Sequence, residues 1–204
     1  TARTRAPPQP ARVNRRTARV EPEMEEQHKF LDHDLIRSNL VLSALYLTAY
    51  EVLKGSIITN ILDFFATEVG ADGRSIPSEQ YKIEVKEAHK DLLYASCLWL
   101  LRNEAITEQD VVDIRRIREH RNQVAHELPS ILIEKDLNIE FGLFLRMREL
   151  LEKIEKWWVI NVDIPANPDF DGKEVDEGEI QTGRVLIIDH VVSVVFGAAG
   201  NAER

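Results

Sequence analysis

The apolar residues of this chain recur at intervals of three, four and seven over most of its length, and no other feature restricts the fold so strongly. From Phe30 to Val69 the positions Leu31, Leu35, Leu42, Leu45, Ala49, Val52, Ile57, Ile61, Leu62 and Phe65 keep to that spacing, with one slip near Gly55. A period of 3.6 turns them to one side of an α-helix. The spacing therefore predicts a long helix over 30–69, bent at Gly55. Gly70, Gly73 and Pro77 supply the turn that ends it. A second helix over 79–102 follows Ser78 as N-cap, with Tyr81, Val85, Ala88, Leu92, Ala95 and Trp99 on its inner face. Thr107 and Asp110 form a short-acid capping box that opens a third helix over 107–127, which Pro129 stops or kinks. A fourth runs over 137–160 and turns Phe141, Phe144, Leu145, Leu151, Ile154 and Trp158 inward.

Four helices joined by short loops imply an all-α fold, an antiparallel four-helix bundle over 23–162. Residues 1–22 read as a basic disordered arm: Arg3, Arg5, Arg12, Arg15, Arg16 and Arg19 precede any acid, and Pro7, Pro8 and Pro10 keep the segment extended. A leader and an RNA-attracting arm fit that pattern equally, although no signal peptide is recognisable from Thr1. The C-terminal extension, 163–204, begins as an acidic loop. It ends in the Val- and Ile-rich stretch Arg184 to Phe196, which favours a short strand or β-hairpin, though such a run fits a buried helix by pattern alone.

Composition narrows the class. With 44% hydrophobic and 30% charged residues the chain belongs with soluble globular proteins, and the longest apolar run, Val185 to Ala199, is broken by Asp189 and His190, so no membrane span is expected. One cysteine, Cys97, cannot form an internal disulfide, which fits the cytoplasm. A net charge of −9 argues against a surface that coats nucleic acid indiscriminately.

Residues 118–128, R-E-H-R-N-Q-V-A-H-E-L, hold the chemically distinctive segment. Ile114, Ile117, Val124 and Leu128 trace one face of the third helix, and Arg121 falls on that same face. Burying an unpaired guanidinium costs on the order of several kcal/mol, so Arg121 needs a partner, a wet crevice or a task. Simple attraction to a helix C-terminus also accounts for Arg115, Arg116, Arg118, His120 and Arg121. The five-residue spacing of His28 and His33, beside Asp32 and Asp34, is poor for metal binding from one helical face. Trp99, Trp157 and Trp158 suit packing better than base stacking.

In this context I-R-E-H-R-N-Q-V-A-H-E-L resembles the HEPN superfamily, whose hallmark is an arginine, an adjacent polar residue and a histidine four to six residues beyond. Arg121, Asn122 and His126 match that pattern, and A-Y-E-V-L-K-G-S-I, with Glu51 and Lys54, is similar to the family's first helix, where an acidic or polar residue often faces the site. The resemblance spans roughly residues 23–160. It implies a metal-independent endoribonuclease with no cofactor, in which the RNA's own 2′-hydroxyl attacks the neighbouring phosphorus. His126 would move the proton, because an imidazole titrates near neutrality. Arg121 would hold the phosphorane charge, Asn122 would bond substrate or orient the imidazole, and Glu51 would aim Arg121.

Residues five apart on a helix differ by about 140° in direction, so Arg121 and His126 of one chain do not share a face. In HEPN proteins two subunits meet across a two-fold interface and pool their arginines and histidines, which implies a homodimer here and makes the apolar stripe partly an intersubunit surface. Such proteins are widespread as toxins and antiphage-defence effectors, held in check by a protein partner or antitoxin, or released by a signal. Members neutralised by a nucleotidyltransferase antitoxin usually carry a tyrosine two positions after the histidine, where this chain has Leu128. The alternative is a catalytically silent HEPN-like module that binds RNA, a nucleotide or another protein.

Overall fold

The computed structural model describes residues 33–131 and 139–199. The basic arm, His28, Asp32 and the start of the expected fourth helix lie outside them. Among the described residues the fold is mostly helical with one small two-stranded sheet.

Helix α1 (His33–Phe64) is the axis of the molecule. Tyr46, Leu53, Ile57 and Ile61 on its inner side are almost fully buried, and helical bonding continues through Gly55. By length and composition α1 is also apolar enough to cross a membrane, but its buried residues belong to the common hydrophobic core. The helix stops five residues before the expected end. Ala66–Val69 instead forms β1, paired antiparallel with β2 (Ser75–Pro77). The turn between them accounts for the switch: Gly70 N–H donates to Arg74 O at 2.8 Å, and Gly73 supplies the positive φ of +76°. Among the described residues the hairpin therefore lies here, and not in the stretch Arg184 to Phe196.

The second helix is also divided. After α2 (Glu79–Glu84) comes a 3-10 turn, Lys86–Ala88, and then α3 (Leu92–Arg102). Asp91 makes the break, since its side chain accepts the Tyr94 N–H at 3.0 Å and restarts the helix as an N-cap. The restart changes the phase, so Ala88 and Leu92 are exposed and Leu93 goes inward.

Helix α4 (Glu108–His126) begins with the capping box expected of Thr107 and Asp110. Asp110, buried, also receives Lys153 Nζ at 2.6 Å and the Arg146 guanidinium, which ties α4 to α6 (Phe141–Trp158). Pro129 follows the end of α4 and sits in a short turn of helix, α5 (Leu128–Ile131). On α6, Leu143, Met147 and Leu150 point inward, whereas Phe141 and Leu145 are exposed, contrary to the reading of the period. The chain continues through a π-turn (Val159–Asp163) into α7 (Ile164–Ala166).

The apolar C-terminal stretch is a helix, α8 (Gly183–Ala199). Its run of Val and Ile has no period to read, and tertiary contacts decide its form. Val185 and Ile188 enter the core, Arg148 grips Asp189 through two bonds of 2.6 and 2.7 Å, and Arg184 donates to Glu155 at 2.6 Å. Helix α1 touches α3, α4, α6 and α8, so the core forms around it. Trp99 stacks on Trp158 at 5.7 Å with Phe64, Phe65 and Trp157 around them, an aromatic cluster that packs the fold.

Candidate functional site

Helix α4 carries Arg115, Arg118 and Arg121 at three-residue intervals, so successive guanidinium groups are neighbours along one side of the helix. That side faces α1 and the start of α3, and two open cavities lie along it.

The first, about 360 Å³, is a cleft bordered by Tyr50, Glu51 and Lys54 of α1, by Asp91 to Leu93, and by Arg118, Arg121 and Asn122 of α4. Arg121 leaves the edge of the apolar stripe and bends over Tyr50, its guanidinium carbon 5.5 Å from the ring centroid. Its Nη2 donates to Glu51 Oε1 at 3.0 Å, and Nη1 reaches Asn122 Oδ1 at a long 3.5 Å. Its Nε is buried without a hydrogen-bond partner. Glu51 is shared with Lys54, whose Nζ lies 3.1 Å away. Beside this group Arg118 donates to Asp91 at 2.7 Å. The backbone N–H of Tyr94 and the Arg118 guanidinium hold the Asp91 carboxyl below its ordinary range, against the opposing effect of burial. Burial in turn raises the Tyr50 phenol, so it stays neutral beneath Arg121 and near Arg118.

The second cavity, about 330 Å³, shares Asp91, Leu93 and Arg118 with the first. Its walls are His89, Tyr94, Cys97, Val111 and Ile114, with Lys90 and Arg115 at the rim. Arg115 covers the Tyr94 ring at 5.1 Å. Taken together the two cavities are bordered by five cations, Lys54, Lys90, Arg115, Arg118 and Arg121, against two carboxylates, Glu51 and Asp91. An excess of positive charge in a chain of net charge −9 marks this side of the molecule.

His126 is not in this group. It is the last residue of α4, exposed, outside the lining of both cavities and without a hydrogen bond or ion pair among the described residues. The structure thus joins Arg121, Asn122 and Glu51 and leaves His126 apart, as the 140° offset requires. Of the apolar stripe, Ile114, Ile117 and Val124 are buried within the single chain and Leu128 is half-buried. Arg121 is accommodated at its margin by the cleft, Glu51 and Tyr50.

The other histidine of α4, His120, has a structural position. Its Nε2 accepts the Glu140 N–H at 3.2 Å, its Nδ1 faces Gln123 Oε1 at 3.4 Å, and its ring meets Tyr46 edge-on at 4.9 Å. Accepting at Nε2 leaves Nδ1 as the protonated nitrogen, so His120 fastens the start of α6 to α4. Among the described residues no three of His, Cys, Asp and Glu gather as a metal site requires. Tyr50, Asp91, Tyr94 and Arg118 belong to the site but carry no sequence motif; the one signal that could have found any of them is the three-residue spacing of Arg115, Arg118 and Arg121.

Comparison with protein-family models, with curated proteins and with solved structures finds no match to this chain.

Proposed function

We propose that this protein is a metal-independent endoribonuclease of HEPN type, its helices forming that family's four-helix bundle, acting in the cytoplasm as a toxin or antiphage-defence effector under the restraint of a protein partner. The reading rests on the observation that Arg121 is aimed by Glu51 across an open cationic cleft, with Asn122 beside it and a buried Nε still unsatisfied. A guanidinium so placed offers a rigid, permanently charged fork to a phosphate. Its bond to Glu51 fixes the orientation before substrate arrives, so less of the binding energy is spent on ordering.

RNA supplies its own nucleophile. The 2′-hydroxyl attacks the adjacent phosphorus, a base removes its proton, the 5′-oxygen leaves with a proton, and a 2′,3′-cyclic phosphate remains. Arg121 holds the charge that gathers on the non-bridging oxygens, and Asn122 adds an amide hydrogen bond. His126 moves the proton, and since it lies off the cleft of its own chain, it comes from a second copy in a homodimer.

Purified protein incubated with RNA and a chelator should produce fragments ending in 2′,3′-cyclic phosphate, and 2′-O-methylation at the scissile nucleotide should block the cut. Cleavage of the methylated RNA, or cleavage only when magnesium is added, would overturn the reading. The position of His126 outside the cleft also favours a second reading, a silent module that binds RNA, a nucleotide or a protein through Arg121 and Arg118. Expression in bacteria separates the two: a nuclease is toxic alone and tolerated as R121A or H126A, whereas a silent module is tolerated in every form.

A further inference from the structure

The pocket between α3 and α4 has features that the cleavage chemistry does not use. Its interior is apolar, made by Leu93, Tyr94, Cys97, Val111 and Ile114. Burial pushes the Cys97 thiol up to about 12, so that part of the wall carries no charge at neutral pH. At the rim, Arg115 and Lys90 have no carboxylate partner among the described residues, while the carboxylate of Asp91 is already engaged by Arg118. An apolar interior with one aromatic wall and unneutralised cations at the mouth suits a flat, weakly polar ring attached to an anion. At about 330 Å³ it lies near the lower limit of ligand pockets, room for one such ring and little more.

We infer that this pocket is a base-binding subsite for single-stranded RNA, and that Arg115, Arg118 and Arg121 form the track for the strand's phosphates. The inference rests on RNA being the substrate and adds where the strand runs and which form it takes. Steps of three residues advance each arginine about 4.5 Å along α4, so the three can meet consecutive charges of one extended backbone. Tyr94 and Tyr50 lie beneath the first and third arginine, so rings and cations line the same path, a combination that single-strand binding proteins use because every base has a stackable face. A base enters such a pocket only when it is free of its helix, so duplex RNA is excluded. With a base at Tyr94, the neighbouring phosphate meets Arg118 and the strand continues into the Arg121 cleft, because the two cavities share Asp91, Leu93 and Arg118.

The test uses the full chain and a fluorescent, fully 2′-O-methylated single-stranded oligonucleotide that cannot be cut by the proposed chemistry. Affinity is measured by anisotropy across a range of salt for the unchanged protein and for Arg115→Gln, Lys90→Gln and Tyr94→Leu. Arg115→Gln is expected to weaken binding about tenfold and to reduce the slope of log K against log salt by about 0.7, the loss of one phosphate contact to a single strand. Tyr94→Leu is expected to weaken binding by about tenfold with the slope unchanged and to reduce discrimination among homopolymers. Arg115 and Lys90 are exposed, so their variants keep the test decisive if Tyr94→Leu fails to fold. Unaltered affinity and slope in the arginine and lysine variants, or a duplex binding as tightly as the single strand, would overturn the inference. If the oligonucleotide binds as described but native RNA is never cut, the subsite stands and the nuclease reading falls. If RNA is cut while these variants bind and discriminate normally, the nuclease reading stands and the subsite falls.

Discussion

Arg121 and His120 sit side by side in sequence and are held by opposite kinds of environment. Arg121 lies over a ring, against a carboxylate and open to a cleft, with its side chain 32% exposed. His120 is buried between α1 and the start of α6 with both nitrogens facing partners. His120→Ala should therefore lower stability by about 1–3 kcal/mol, seen as a lower thermal midpoint, because it leaves the Glu140 N–H without its acceptor. His126→Ala should leave the midpoint unchanged, since that side chain is exposed and makes no hydrogen bond or ion pair among the described residues, and yet reduce cleavage by roughly 100- to 10,000-fold. Glu51→Gln tests aiming: kcat should fall about tenfold with little change in KM, and Glu51→Asp should recover part of it. Equal loss of binding and turnover would assign Glu51 to substrate contact instead. Arg121 was legible because it sets a charge on an apolar stripe, whereas Glu51 was named only through the resemblance of its segment to a family's first helix. The partners Tyr50, Arg118 and Asp91 were not, because each looks ordinary on its own element and matters only through contacts made after folding.

At the scale of elements, helix ends were legible where a side chain caps its own turn. Thr107 is the example, and Thr107→Ala should cost about 1 kcal/mol in thermal or denaturant unfolding. The break before α3 was hidden because Asp91 is fixed partly by Arg118, twenty-seven residues away. The C-terminal end of α3 closes on Glu104 at a φ of 60°, with Glu104 N–H bonded to Leu101 O and Ala105 N–H to Leu100 O. Glycine fits that left-handed position without strain, so Glu104→Gly should raise stability by about 0.5 kcal/mol. Two carboxylates predict the acid response. The Asp91 carboxyl is lowered, chiefly by the Tyr94 N–H, and that of Asp110 is lowered because hydrogen bonds from Lys153 and Thr107 together outweigh the burial that opposes them. A carboxyl whose folded value lies below its unfolded value of about 3.9 stabilises the fold above that value and loses the effect as pH falls through the folded one. The thermal midpoint should be steady down to about pH 5 and then fall, and Asp110→Asn should lower it at neutral pH while flattening that fall.

For the whole molecule, an acidic chain concentrates cations along one side of α4 and keeps the proposed proton carrier at that helix's end, outside the same cleft. The proposed site therefore needs two copies, one to contribute Arg121 and the other His126. Light scattering at tens of micromolar should report a dimer, and monomer alone would remove the composite site. The most direct measurement mixes two inactive variants. R121A and H126A are each purified, exchanged into mixed dimers by brief dilution and reconcentration, and assayed on RNA in chelator. Cleavage should be nearly absent from either variant alone and return on mixing to a sizeable fraction of the unchanged protein's rate, because the mixed dimer holds one intact arginine and one intact histidine on different chains. Mixed dimers that form and remain inactive, or full activity in either variant alone, would contradict a site shared between Arg121 and His126.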